Sequence, residues 1–326
     1  MLETAIEMAP KKLTCPTLNN KLSGSYAALL TPFDPKGKVD YETFEGVIDF
    51  VLERGVDGVV VGGGTAEYPR LDLAERKELT TLAVHRVQNK AKVLANIGAS
   101  SLQGTLWLGE HAAASGSYAL LLTMPYFFRY EQHDLKAYCE TVCRALKVPC
   151  LLYNLPSFTN PLDAETAIEL LLSEENLIGI KDSSGDRRNL LRLAQARRDR
   201  DFSLMVGDDG VLFEALTTGW DGAISGLACF VPELIVSLFR SFQAGNRQQA
   251  WDLQKLLNQM IEQVLRLPIP WGVRVGLAAR GLPTGDFALP LSALRRQQVA
   301  ELHEWLSNWL PTCVGICQKS TTNSSQ

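Results

Sequence analysis

Lys181 closes the apolar run Leu177-Ile178-Gly179-Ile180 and leads at once into the small, polar turn Asp182-Ser183-Ser184-Gly185. A run apolar at successive positions suits a strand covered on both faces, as in a parallel sheet, and lysine is almost never fully buried without a partner. Two accounts of such a lysine compete. An amine in apolar surroundings gives up its proton more readily and attacks carbonyl carbon; alternatively, the residue is a strand-end cation paired with a neighbouring acid such as Asp182. Tyr153 closes a second apolar run, Cys150-Leu151-Leu152, and offers a phenol for proton transfer. A core tyrosine with a satisfied hydroxyl is its simpler reading. A third stretch, Gly62-Gly63-Gly64-Thr65-Ala66-Glu67, lacks the third glycine of a dinucleotide fingerprint and the lysine of a phosphate loop. Alone it is a tight turn; beside a reactive amine, the backbone N–H groups of Gly64 and Thr65 can hold a carboxylate. Amine, phenol and carboxylate site are what an imine-forming enzyme acting on a 2-oxo acid requires.

The elements that must bring these residues together can be read from periodicity. Apolar runs recur at Tyr26–Leu30, Val59–Val61, Val93–Ile97, Ala119–Thr123, Cys150–Tyr153, Ile178–Lys181, Ser203–Val206 and Gly222–Ile224. No two are joined by a two-residue hairpin turn. Between them lie helical stripes, among them Phe44, Val47, Ile48, Val51 and Leu52 after an Asp40 cap, and Leu79, Leu82 and Val87 after an Asp72/Glu75 capping box. Strict strand–helix alternation calls for parallel pairing through crossovers, and eight units match an α/β fold of the (β/α)₈ TIM-barrel type. After residue 245 the strand signal stops, and 246–266, 271–280 and 292–310 read as three helices rich in tryptophan. The expected organisation is a lead-in over 1–22, a barrel over 23–245, a C-terminal helical extension over 246–312 and a disordered tail over 313–326.

The barrel makes the three stretches converge, because catalytic groups of this fold sit at the C-terminal ends of the strands. Strand 6 delivers Lys181 there, strand 5 Tyr153, strand 2 the glycine-rich loop, and strands 7 and 8 the turns after Gly207 and Ile224.

Composition narrows the function further. The chain has 326 residues, 46% hydrophobic and 21% charged, with net charge −4 and a pI near 5.7, which gives no reason to expect nucleic acid or an anionic membrane as partner. No apolar run reaches spanning length, and the first twenty residues do not read as a secretory signal. Seven scattered cysteines, an odd number, fit reduced thiols in a cytoplasmic protein. The four histidines show no metal-ligand spacing, so neither a metal nor any other cofactor is expected.

At this point the motifs carry a resemblance. Gly63-Gly64-Thr65-Ala66-Glu67, Tyr153-Asn154-Leu155-Pro156-Ser157 and Gly179-Ile180-Lys181-Asp182-Ser183-Ser184-Gly185-Asp186 resemble, in order and position, the carboxylate loop, the Tyr-Asn-x-Pro segment and the Schiff-base lysine segment of the dihydrodipicolinate synthase/N-acetylneuraminate lyase family. The resemblance runs from about Gly24 into the C-terminal helices. It implies a lyase in which Lys181 forms the imine, Tyr153 is general acid and base, and Gly64, Thr65, Gly207, Ile224, Phe127 and Phe158 surround the substrate. It also implies a homotetramer or homodimer.

Departures from the family pattern bear on the substrate. Gly64 stands where the synthases have a threonine hydroxyl, Phe127 where they have the second tyrosine of a proton relay, and Phe158 where an arginine grips a second carboxylate. Glu67-Tyr68-Pro69 and Lys181-Asp182-Ser183 look closer to the family's 4-hydroxy-2-oxoglutarate and 2-keto-3-deoxy sugar acid aldolases. A pyruvate-type aldolase with an apolar or uncharged substrate tail near Phe158 is therefore expected. Dihydrodipicolinate synthesis and keto-deoxy sugar acid dehydration are the alternatives within the family, and a non-catalytic 2-oxo acid sensor is the alternative of another class.

Overall fold

The computed structural model describes residues 21–323. The expected lead-in lies outside these residues except for Lys21 and Leu22, as does the end of the tail, 324–326. Eight strands and eight helices alternate: β1 Gly24–Ala28, α1 Tyr41–Leu52, β2 Gly58–Val61, α2 Leu73–Val87, β3 Lys92–Asn96, α3 Leu102–Ser115, β4 Ala119–Thr123 and α4 Gln132–Leu146. The second half comprises β5 Cys150–Asn154, α5 Ala164–Ser173, β6 Leu177–Asp182, α6 Arg187–Ala196, β7 Ser203–Val206, α7 Leu212–Thr217, β8 Gly222–Ser225 and α8 Pro232–Gln243. Every strand pairs with its sequence neighbours in parallel, and β8 pairs with β1 to close the barrel.

Closure divides the apolar residues into two cores. Successive strand side chains point to opposite faces. The inward set, with Tyr26, Ala28, Val60, Leu94, Leu121, Leu151, Met205 and Ile224, fills the barrel. The outward set packs beneath the helices in one continuous layer. Leu22 belongs to the inward set, and its N–H donates to Ser203 Oγ at 2.7 Å, so the last lead-in residue plugs the N-terminal end of the barrel. The helices start where the sequence places caps. Asp40 accepts from Thr43 N at 3.0 Å, and Asp72 and Glu75 exchange backbone hydrogen bonds in a complete capping box.

The C-terminal extension consists of α9 Arg247–Val264, α10 Trp271–Ala279 and α11 Ala293–Asn323. It packs on its own chain: α9 lies along α8, and α11 lies along α10 and α8. Two tryptophans contribute directly, Trp251 against Phe213 of α7 and Trp271 against Phe287. The tail expected to be disordered from 313 is instead the end of α11. Its apolar stripe, Leu302, Leu306, Leu310, Cys313 and Cys317, is buried throughout. The spacing is that of one helix face, and it carries the helix through Pro311 despite the backbone hydrogen bond proline removes. Among the described residues, no helix is long and apolar enough to cross a membrane.

Candidate active site

Parallel register decides which side chains meet at the C-terminal mouth of the barrel. Tyr153 on β5 is aligned with Lys181 on β6, which is aligned in turn with Met205 on β7. Tyr153 is part of the inward set, so Lys181 points into the barrel with it. The lysine is 4% exposed, and its Nζ lies 4.0 Å from the centre of the Tyr153 ring. Among the described residues nothing forms an ion pair or hydrogen bond with that nitrogen. Asp182 cannot, because it points to the opposite face. Its carboxylate accepts from Asn154 Nδ2 at 2.8 Å and from the Ser184 hydroxyl at 2.6 Å. Burial pushes the Asp182 carboxyl up, while those hydrogen bonds pull it down. The strand-end ion pair allowed by the local sequence is thus absent. Gly207 gives the lysine room: a Cβ there would lie 2.8 Å from Lys181 Cε and still closer to Ser183 Oγ.

The loop after β2 turns tightly on itself, with Ala66 N donating to Gly63 O and Glu67 N to Gly64 O. The N–H groups of Gly64 and Thr65 have no acceptor among the described residues, and both residues line the cavity. Glu67 takes a left-handed conformation at φ 54°, which is held from outside. Its buried carboxylate accepts from Arg274 of α10 at 2.8 Å and from Arg70 at 3.0 Å. Arg274 also donates to the carbonyls of Thr31 and Thr284. Glu67 is thereby occupied in fastening the loop to the helical extension.

Lys181, Tyr153, Gly64, Thr65, Gly207, Ile224 and Phe158 all line one cavity of about 650 Å³. Phe127 does not. It follows β4 in a left-handed turn at φ 80°, is 88% exposed and packs edge-on against Phe128. The backbone turn directs its ring away from this chain's own cavity wall. Tyr130 is also absent from the cavity wall, whereas Tyr68 and Tyr126 contribute to it and meet edge-on at 5.7 Å.

Sequence reasoning did not single out Asp209 as a site residue, although it reached the turn that carries it. α9 pins this turn: buried Gln254 donates to Asp209 O at 3.0 Å and accepts from Phe213 N at 2.9 Å. The Asp209 carboxylate accepts from Ser225 Oγ at 2.9 Å, and its other oxygen has no partner among the described residues. Burial pushes this carboxyl up to about 7, partly offset by the Ser225 hydrogen bond and by the charge of Lys181. Between the ordinary value of 3.8 and about 7, the folded protein therefore holds a proton that the unfolded chain has lost. Its stability from this group falls as pH rises through that window and stays lowered above it. Asp209→Asn, which removes the charge and keeps an acceptor for Ser225, should stabilise the protein at pH 8 by on the order of a few kcal/mol. At pH 5, little more than a third of the way through that window, the gain should be less than half as large. Urea unfolding at the two pH values measures it, and a gain equal at both would show that the carboxylate charge is not its origin.

A closed (β/α)₈ barrel with a buried, unpaired lysine on β6 and a tyrosine beside it on β5, both facing one cavity, has the architecture of a class I aldolase. The chain belongs to the dihydrodipicolinate synthetase family, whose model matches residues 21–309. It is accordingly a lyase of the aldolase type. It is 30% identical over 277 residues to a 4-hydroxy-tetrahydrodipicolinate synthase of Bartonella bacilliformis, covering 84% of this chain and 93% of that one. It is 31% identical over 275 residues to a probable 2-dehydro-3-deoxy-D-pentonate aldolase of Escherichia coli K12, covering 83% and 91%. An N-acetylneuraminate lyase of Rhizobium meliloti is 29% identical, covering 87% and 94%. Among solved structures, a prophage protein of the dihydrodipicolinic acid synthase family from Escherichia coli K12, in complex with pyruvate, superposes with a TM-score of 0.82 at 28% identity, covering 88% of this chain and 98% of that one.

Proposed function

We propose that the protein cleaves or forms the C3–C4 bond of a 4-hydroxy-2-oxo acid through an imine on Lys181. The observation that carries this reading is the buried Lys181 amine, without an acidic partner and in register with Tyr153 at the wall of the cavity. In the cleavage direction the amine adds to C2 and water leaves, giving an iminium that serves as electron sink. Tyr153 accepts the proton of the C4 hydroxyl as the C3–C4 bond breaks, releasing an aldehyde and leaving an enamine. Protonation at C3 and hydrolysis then free pyruvate and regenerate the amine. The unengaged N–H groups of Gly64 and Thr65 hold the C1 carboxylate, Gly207 and Ile224 shape the imine pocket, and Phe158 flanks the tail.

The protein works as a homodimer or homotetramer in this reading. The exposed Phe127 and Phe128 rings, in mutual contact, are an apolar surface suited to a second copy. The six cysteines among the described residues are buried and form no disulfide, which fits a reducing compartment such as the cytoplasm.

Borohydride reduction in the presence of pyruvate tests the imine. The expected result is a stable adduct on the peptide containing Lys181, detected by mass spectrometry. An adduct on another lysine, or none, would overturn the assignment.

A further inference from the structure

The cavity extends well beyond the groups needed for imine chemistry, and the character of its wall changes sharply. Around Lys181 it is polar, with Thr65, Tyr153, Ser183, Asp208 and Asp209. Across from them, the end of α9, the start of α10 and the turn between them contribute Ile261, Val264, Leu265, Ile269, Trp271 and Val273. The Trp271 indole N–H is the one polar side-chain group in this stretch of wall. Leu289, from the segment before α11, extends the wall. Phe158, Leu265, Ile269 and Leu289 are each more than half exposed, although all four line the same cavity. Four large apolar side chains held open around one opening form a binding surface rather than scattered exposure.

Charge points the same way. Among the described residues, Lys181 is the single cationic one lining the cavity; the others that ionise are Glu67, Asp208, Asp209 and tyrosines. Arg70 and Arg274 are both engaged by Glu67. Once Lys181 is in the imine, the described residues of the wall offer no free cation to a second carboxylate on the substrate. The polar loops lie where a C4 hydroxyl forms, and the apolar wall lies beyond.

We infer that the aldehyde released or captured by this enzyme carries an apolar, aromatic or branched aliphatic tail, held between Phe158 and the wall formed by α9 and α10. The inference rests on the imine reading above and specifies its substrate class. In the condensing direction the Lys181 enamine of pyruvate attacks the aldehyde carbon, the carbonyl oxygen takes a proton from Tyr153, and water hydrolyses the imine. The product is a 4-hydroxy-2-oxo acid with the apolar group on C4.

The test pairs pyruvate with benzaldehyde, glyceraldehyde and succinic semialdehyde, alongside borohydride trapping with pyruvate alone. Benzaldehyde should exceed each of the others by at least about tenfold in kcat/KM, as expected for burial of a ring against apolar wall. Leu265→Arg puts a cation on the exposed wall. It should reverse the preference toward succinic semialdehyde by roughly ten- to a hundredfold, whereas Leu265→Met should retain the wild-type order. If glyceraldehyde or succinic semialdehyde is the better partner while the pyruvate adduct forms on Lys181, the apolar-tail inference fails and the imine reading stands. If no pyruvate adduct forms, both fail.

Discussion

Lys181→Ala is expected to abolish both the reducible adduct with pyruvate and turnover of any 2-oxo acid, a loss on the order of 10⁶-fold or more, near the lower end of enzymatic rate enhancements. The reason is covalent. Without the amine no iminium forms, and the electrons of the breaking C3–C4 bond have no sink. The fold should tolerate the change, because the Lys181 nitrogen forms no ion pair or hydrogen bond with the described residues, and the nearby Asp209 carboxyl, which the lysine charge helps hold down, can take up a proton instead of staying as a buried charge. Retained thermal stability together with lost adduct and lost turnover is the expected combination. Residual turnover above a few per cent of wild type would mean that another group carries the carbonyl.

Tyr153→Phe should separate binding from proton transfer. The ring packs in the barrel interior and lies beside the Lys181 amine, so phenylalanine keeps the packing and removes only the hydroxyl. General acid–base catalysis contributes about 10²- to 10⁴-fold, and a loss of that size in kcat is expected, with imine formation slowed yet detectable by trapping. The structure sharpens the expectation. No residue among those described hydrogen-bonds the Tyr153 hydroxyl, and a Cβ at Gly64 would lie 3.6 Å from it. A hydroxylated side chain at position 64 would be within reach of the phenol, but glycine supplies none. Phe127 brings no hydroxyl and Tyr130 stays off the cavity wall, so in the proposed mechanism Tyr153 exchanges its proton with substrate or with water in the cavity. Near wild-type turnover in Tyr153→Phe would move the acid–base role to another group, with Tyr126 and Tyr68 the next phenols on the wall.

The architecture was legible because parallel barrel strands are covered on both faces and read as unbroken apolar runs between amphipathic helices. Ala119–Thr123 and Ser203–Val206 match the observed strands end to end, and the other six are displaced by two residues or fewer. The displacement at β1 has a local cause. Leu30 sends its N–H to Cys229 Sγ instead of to a neighbouring strand, so the ladder ends before the apolar run does. The meeting of Lys181, Tyr153 and the Gly64-Thr65 loop at one cavity could be anticipated because the barrel rule assigns every strand end to one mouth. What sequence could not assign were relations between distant segments. The sequence placed a helix over 246–266 but did not show that the segment running from α9 into α10 would form the far side of the cavity, some eighty residues beyond Lys181. Nothing near Phe127 announces the left-handed turn that directs its ring outward. The Asp209 pKa is set by burial beneath α9, a property of the packed molecule and not of its neighbours in the chain. Local chemistry and periodicity determined the barrel and the amine. Tertiary packing decided that the amine has no acidic partner and that the space in front of it is lined by apolar wall, because both depend on which residues the folded chain places across the cavity.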